Sequence, residues 1–166
     1  MRAMTDANLR AAFAGESQAH MRYLIFADRA EREGKPNVAR LFRAISFAEQ
    51  IHATKHYRTL GEIKDTSQNL EAAVNGETYE VEEMYPAFKA VAELQEEKRA
   101  VQATDWALQA EKVHAEMYTR AKQAVGSGGD VALDDVYICE VCGHTTEALP
   151  DSCPICGVGK ERYRKF

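Results

Sequence analysis

Residues 1 to 138 of this 166-residue chain contain no cysteine, and all four cysteines fall in the last 28 positions. A disulfide framework for the larger part is therefore excluded, and the cysteine tail needs another explanation. Nowhere does an apolar run approach the roughly eighteen residues that a membrane span needs. The start, Met1-Arg2-Ala3-Met4-Thr5-Asp6, lacks the apolar stretch and cleavage site of a signal peptide, so the expected location is the cytoplasm. An excess of positive charge is also missing. The net charge is -5 and the basic residues are interspersed, which argues against a nucleic-acid partner.

What is present is helical periodicity over most of the length. Thr5 reads as an N-cap, and apolar or small residues recur at steps of three and four to Glu33. Gly34 suits the position past a helix end, and Pro36 suits the first turn of a second helix running to Leu60, with Gly61 closing it. The short turn makes these two helices antiparallel neighbours. Residues 62 to 76 are ambiguous. From Glu77 the pattern resumes, with Pro86 predicting a kink, and a fourth helix continues to Val125. The expected organisation is a mainly α four-helix bundle over residues 1–126, a linker over 127–134 and a small cysteine module over 135–166.

The helices carry two matching stretches, Glu49-Gln50-Ile51-His52 and Glu111-Lys112-Val113-His114. On a helix, residues three apart share a face, so each pair can hold one side of a metal ion. Each pair stands roughly thirty residues after another glutamate, Glu16 and Glu80. That is the ligand inventory of the carboxylate-bridged di-metal sites found in helical bundles. Glu83 adds a fifth inward carboxylate. Five carboxylates converging in a core would repel or protonate without cations, and mixed oxygen and imidazole ligation suits iron or manganese. Any one of these glutamates is more often a solvated surface residue; it is the duplicated pattern that carries the argument. Tyr23 reads equally as a site tyrosine or a core one. His56 and His20 read as supporting or boundary histidines rather than ligands.

In the tail, Cys139-Glu140-Val141-Cys142-Gly143 and Cys153-Pro154-Ile155-Cys156-Gly157 form two Cys-x-x-Cys knuckles. Together they specify one tetrahedral ion on four thiolates, with glycines allowing tight turns whose amides point at sulfur. Zinc and iron both accept this set. A redox-capable di-metal site in the same chain tilts the choice to iron, with zinc as a possible substitute.

These residues resemble the rubrerythrin family along essentially the whole chain. Ala14-Gly15-Glu16-Ser17-Gln18-Ala19-His20-Met21-Arg22-Tyr23 is similar to its first-helix motif, and the two Glu-x-x-His stretches to its ligand pairs. Glu80-Val81-Glu82-Glu83-Met84-Tyr85-Pro86 is similar to its third-helix signature. Tyr137 to Gly157 resembles its rubredoxin-like module. The resemblance implies a ferritin-like di-iron bundle followed by a rubredoxin-like iron centre. It implies a non-haem peroxidase that reduces hydrogen peroxide to water, protecting against oxidative stress. Electrons would come from NAD(P)H through a separate reductase or rubredoxin. It assigns Glu49 and Glu111 as bridging carboxylates, Glu16 and Glu80 as terminal ones, and His114 as a steady ligand. Glu83 and His52 become an exchanging pair, and Tyr23 lies near the site.

A homodimer is expected, with the cysteine module reaching a partner's di-iron site. Were the third helix to begin near Gln68, residues 61 to 67, spanning at most roughly 25 Å, would fall short of the return needed within one chain. A domain-swapped dimer follows in that case and not if residues 62 to 76 are irregular. The competing functions are a ferritin-like iron oxidase or storage protein, and a non-enzymatic metal-binding protein with a structural zinc ribbon.

Overall fold

The structure, a computed structural model, describes residues 1–166 and divides them into two compact units, Met1–Lys64 and Asp65–Phe166. The division falls between the second and third helices, and the cysteine module groups with the later helices rather than standing apart after the linker. No helix is long and apolar enough to cross a membrane.

The first unit is an antiparallel hairpin of α1 (Ala3–Arg32) and α2 (Pro36–Leu60). Helix α1 begins before Thr5 and has no side-chain cap, so Thr5 is not its N-cap. Asp6 in the first turn holds Arg10 at 2.8 Å instead, and Arg10 also reaches Glu62 at 2.6 Å. Gly34 and Gly61 take the left-handed φ values of 71° and 72° that end each helix without a Cβ penalty. The buried residues of the hairpin are small: Ala19, Ala27, Ala30, Ala39, Ser46 and Ala53. Small side chains allow close approach of the two helix backbones. One polar clasp fixes their register. The Ser46 hydroxyl donates to the His20 carbonyl at 2.9 Å, and His20 Nδ1 lies 2.9 Å from both the Ser46 carbonyl and its hydroxyl. His20 is thereby satisfied by α2.

The second unit opens on α3 (Thr66–Tyr79), capped by Asp65, whose carboxylate accepts from the Gln68 amide at 2.8 Å. The ambiguous stretch is thus helical from residue 66, leaving only residues 61–65 as a connection. A π-turn, Glu80–Met84, follows, then α4 (Tyr85–Leu94). The kink expected at Pro86 takes this form. Proline has no N–H and its ring crowds the carbonyl four residues back. The chain widens just ahead of it, and the Tyr85 amide reaches five residues back to the Glu80 carbonyl. Helix α5 (Lys98–Gly126) packs against α3 and α4.

The cysteine module is a three-stranded antiparallel sheet ordered β2-β1-β3, from β1 (Tyr137–Cys139), β2 (Thr145–Thr146) and β3 (Tyr163–Lys165). It lies on α5 of its own chain. A Cβ built on Gly143 would sit 3.9 Å from that of buried Ala110, and Arg120 pairs with Glu147. From the end of α5 back to His114 is roughly 18 Å of helix rise. The ten residues between α5 and β1 span up to roughly 33 Å, ample for that return.

Replacing Ser46, fully buried between α1 and α2, by Leu should cost about 1–3 kcal/mol through overpacking and loss of the clasp. Chemical denaturation of the intact chain measures this, and an unchanged midpoint would remove the clasp from the account.

Candidate metal centres

In the first unit, Glu16 from α1 meets Glu49 and His52 from α2, with their ligating atoms all within 4.8 Å of one another. His52 Nδ1 lies 3.0 Å from Glu49 Oε2 and 3.9 Å from Glu16 Oε1. The imidazole is more than half exposed, at 54%, while Glu49 is largely covered, at 16%.

In the second unit, the matching triad is Glu77, Glu111 and His114. His114 Nδ1 stands 2.5 Å from Glu111 Oε2. Glu77 occupies the place the sequence reading gave to Glu80, one turn earlier on α3. Glu80 comes next: it is half-buried, and burial followed by the charge of Glu111 raises its carboxyl pKa. Glu83 is exposed and belongs to neither triad. The extra residue of the π-turn breaks the three-and-four spacing from Glu80 onward, so Glu80 and Glu83 are not presented on one face as a regular helix would present them. The signal that would have identified Glu77 was its own spacing, one turn before Glu80. Tyr85 was not assigned from sequence either. Burial, and then the charges of Glu80, Glu111 and Glu77, raise its phenol pKa, which places its hydroxyl in the field of the same carboxylates. Tyr23, by contrast, packs its ring against Phe42 and Phe26, with centroids 6.1 and 6.3 Å away.

Both triads have the donor chemistry of a cation site. Burial, and then a hydrogen bond and charge from Glu111, push the Glu77 carboxyl up to about 7. Two carboxyls sharing a proton beside an imidazole are a cluster in which hydrogen substitutes for a metal. His114 Nε2 contacts the Thr145 hydroxyl at 2.8 Å, and that hydroxyl donates to the Gly143 carbonyl at 3.1 Å. Thr145 Oγ1 has then spent its proton and must accept from Nε2–H. At the other ring nitrogen, Nδ1 faces Glu111 Oε2 at 2.5 Å.

The four cysteines form no disulfide and place all four sulfurs within 4.8 Å. Cys139–Cys156 and Cys142–Cys153 sulfurs are 3.7 and 3.4 Å apart, near the roughly 3.8 Å edge of a tetrahedron with 2.3 Å metal–sulfur bonds. Gly143 and Gly157, at φ 81° and 79°, donate to the carbonyls of Cys139 and Cys153, both at 2.9 Å. The next amides, of His144 and Val158, then point at the sulfurs of Cys142 and Cys156. Burial alone would raise the Cys153 thiol. Hydrogen bonds from Tyr163 and from the Cys156 and Ile155 amides bring it down to about 6. Burial raises Cys142 instead.

Two carboxylate–imidazole triads on helices and one four-thiolate knuckle pair define a ferritin-like di-metal protein with a rubredoxin-type electron-transfer module. Comparison with known proteins agrees. Residues 7–122 match the family model described as rubrerythrin, and residues 137–164 match the rubrerythrin, rubredoxin-like domain. The chain is 42% identical to rubrerythrin-2 of Clostridium acetobutylicum, over 99% of its own length and 97% of that protein's. It is 34% identical to nigerythrin of Nitratidesulfovibrio vulgaris, over 96% and 85%. A solved mixed-valent nigerythrin is similar, with a TM-score of 0.57, 34% identity, and 98% of this chain and 86% of that one covered. The chain belongs to the rubrerythrin family. Its cofactors are accordingly two iron ions at the carboxylate–histidine site and one on the four cysteines. Its family is one of di-iron oxidoreductases, of peroxidase or oxygen-detoxifying type, that serve against oxidative stress. Family members work with peroxide and with rubredoxin or a reductase, and form homodimers.

In the metal-free chain, Glu77 stays protonated in the fold up to about pH 7, whereas its ordinary value is 4.5. This group's contribution to stability is fully present below about 4.5 and is lost as pH rises through about 7. Glu77→Gln should flatten that decline in thermal midpoint between about pH 5 and about pH 8. An identical decline in the variant would show that Glu77 is not the strained carboxyl.

Proposed function

We propose that the chain reduces hydrogen peroxide to two waters, taking two electrons and two protons per turnover. NAD(P)H is the ultimate electron source, through a separate reductase or rubredoxin, in the cytoplasm. The observation that carries this reading is the presence, in one chain, of two Glu–Glu–His triads and a four-thiolate cluster. An iron oxidase or storage protein would leave the thiolate cluster without a role.

Glu16, Glu49 and His52 would hold one side of the di-iron centre, and Glu77, Glu111 and His114 the other. Glu80 is the additional carboxylate within reach of the second triad. Iron supplies a reversible one-electron couple at each metal. The protein's part is charge and protons. Burial raises the Glu80 carboxyl and the Tyr85 phenol, which favours their protonated forms beside the second triad. These groups are suited to deliver hydrogen to the oxygens of a bound peroxide. His114 is held at both ring nitrogens and His52 at Nδ1 alone, which supports His52 as the ligand that exchanges. The five-residue connection between α2 and α3, at most roughly 18 Å, favours a homodimer in which each centre takes one triad from each copy.

Rapid mixing of the anaerobically reduced, iron-loaded protein with peroxide tests this. Oxidation of the thiolate iron should follow peroxide consumption, and oxygen-driven mineralisation without peroxide turnover would favour the storage reading. Zinc in the cysteine site should abolish NADH-coupled turnover and leave a single turnover of the reduced di-iron site intact. Glu80→Ala should slow peroxide turnover at least tenfold, in line with loss of a group acting by acid–base catalysis. Glu83→Ala tests the role that the family resemblance gives Glu83, and a loss of peroxide turnover in that variant would place Glu83 in the mechanism.

A further inference from the structure

Thr145 is a buried residue of the cysteine module, and its hydroxyl is committed on two sides. It accepts from His114 Nε2 at 2.8 Å and donates to the Gly143 carbonyl at 3.1 Å. That carbonyl belongs to the same peptide group as the His144 amide, and the His144 amide donates to the Cys142 sulfur. At the other end, His114 Nδ1 faces Glu111 Oε2 at 2.5 Å. A chain of hydrogen bonds therefore runs from the imidazole of the helical triad, through one hydroxyl and one peptide, to a cysteine ligand.

We propose that Thr145 is a positioning residue that ties the helical metal centre to the cysteine centre of the same chain, fixing His114 as the Nε2–H tautomer and polarising the Gly143–His144 peptide. The assignment deepens the di-iron reading and rests on it. Three facts support it. The residue is 5% exposed, so water competes little for either bond. Pairing of Ile138 with Thr145 in the sheet fixes where the hydroxyl sits. The Arg120–Glu147 ion pair and the Gly143–Ala110 approach hold β2 on α5 on either side of His114. Physically, a partner on the distal nitrogen orients a metal-binding histidine and raises the basicity of the other nitrogen. A donor on the carbonyl of a peptide strengthens the bond made by its N–H.

The test compares Thr145→Val, which keeps the shape, with Thr145→Ser, which keeps the hydroxyl, in the full-length chain. In the metal-free protein, 15N chemical shifts of the His114 ring should report Nε2–H in the wild type and the serine variant, and a tautomer mixture in the valine variant. Cobalt(II) affinity of the carboxylate–histidine site should fall about tenfold in the valine variant and recover with serine. With iron in the cysteine site, the valine variant should have a more negative midpoint potential, because the amide bond that stabilises the reduced thiolates is weaker. A retained tautomer with unchanged cobalt affinity, or valine-like behaviour of the serine variant, would overturn the assignment. The tautomer readout needs no metal, so it separates failure of this inference from failure of the di-iron reading, which would show as absent cobalt binding in the wild type.

Discussion

The structure depends on crowding carboxylates where water is scarce. Glu77 and Glu111 share a proton beside His114, and Glu16 and Glu49 converge on His52. The Glu77 cluster is unfavourable alone, since like charges close together in reduced dielectric repel and desolvation adds to the cost. A cation reverses the sign of every one of these terms. The helices that present the clusters are therefore held by features that do not involve metal. On the first unit these are the small-residue seam of Ala19, Ala27, Ala39 and Ala53 and the His20–Ser46 clasp. On the second they are the Asp65 cap and the packing of α3 and α4 on α5.

The two triads are similar in composition and unequal in setting. His52 is exposed on a helical hairpin, and His114 is backed by the cysteine module. The second triad also has Glu80 and Tyr85 in its field, brought there by the π-turn ahead of Pro86. A wide turn at a functional site is a backbone device: it inserts one residue, redirects the side chains that follow, and leaves the helix continuous. Proton-bearing groups thus gather on one side of the centre, and the electron-bearing module lies behind the histidine of that same side.

The cysteine module shows the same economy of parts. Left-handed glycines after the second cysteine of each knuckle turn the chain so that the following amides meet sulfur. The glycine amides themselves close the turns on the cysteine carbonyls. Tyr163 hydrogen-bonds Cys153 from β3 and also lies 2.7 Å from His144 Nδ1, so the sheet register governs the thiolate environment.

Much was settled by spacing alone. Glu49 with His52, Glu111 with His114, and the paired Cys-x-x-Cys knuckles are local patterns, and a helix or a knuckle places them before any packing occurs. Helix ends at Gly34 and Gly61 were legible for the same reason, because only the local backbone decides them. The third helix was not. A π-turn that no three-and-four count anticipates begins at Glu80; Glu77, which spacing did not single out, joins Glu111 and His114, and Glu83 is exposed. The seat of the module was equally beyond the sequence. Thr145 is far from His114 along the chain, and only the fold of the linker and the register of β1 with β2 bring its hydroxyl to the imidazole. Local periodicity determines which groups can bind metal; tertiary packing decides which carboxylate joins them and what stands behind the histidine.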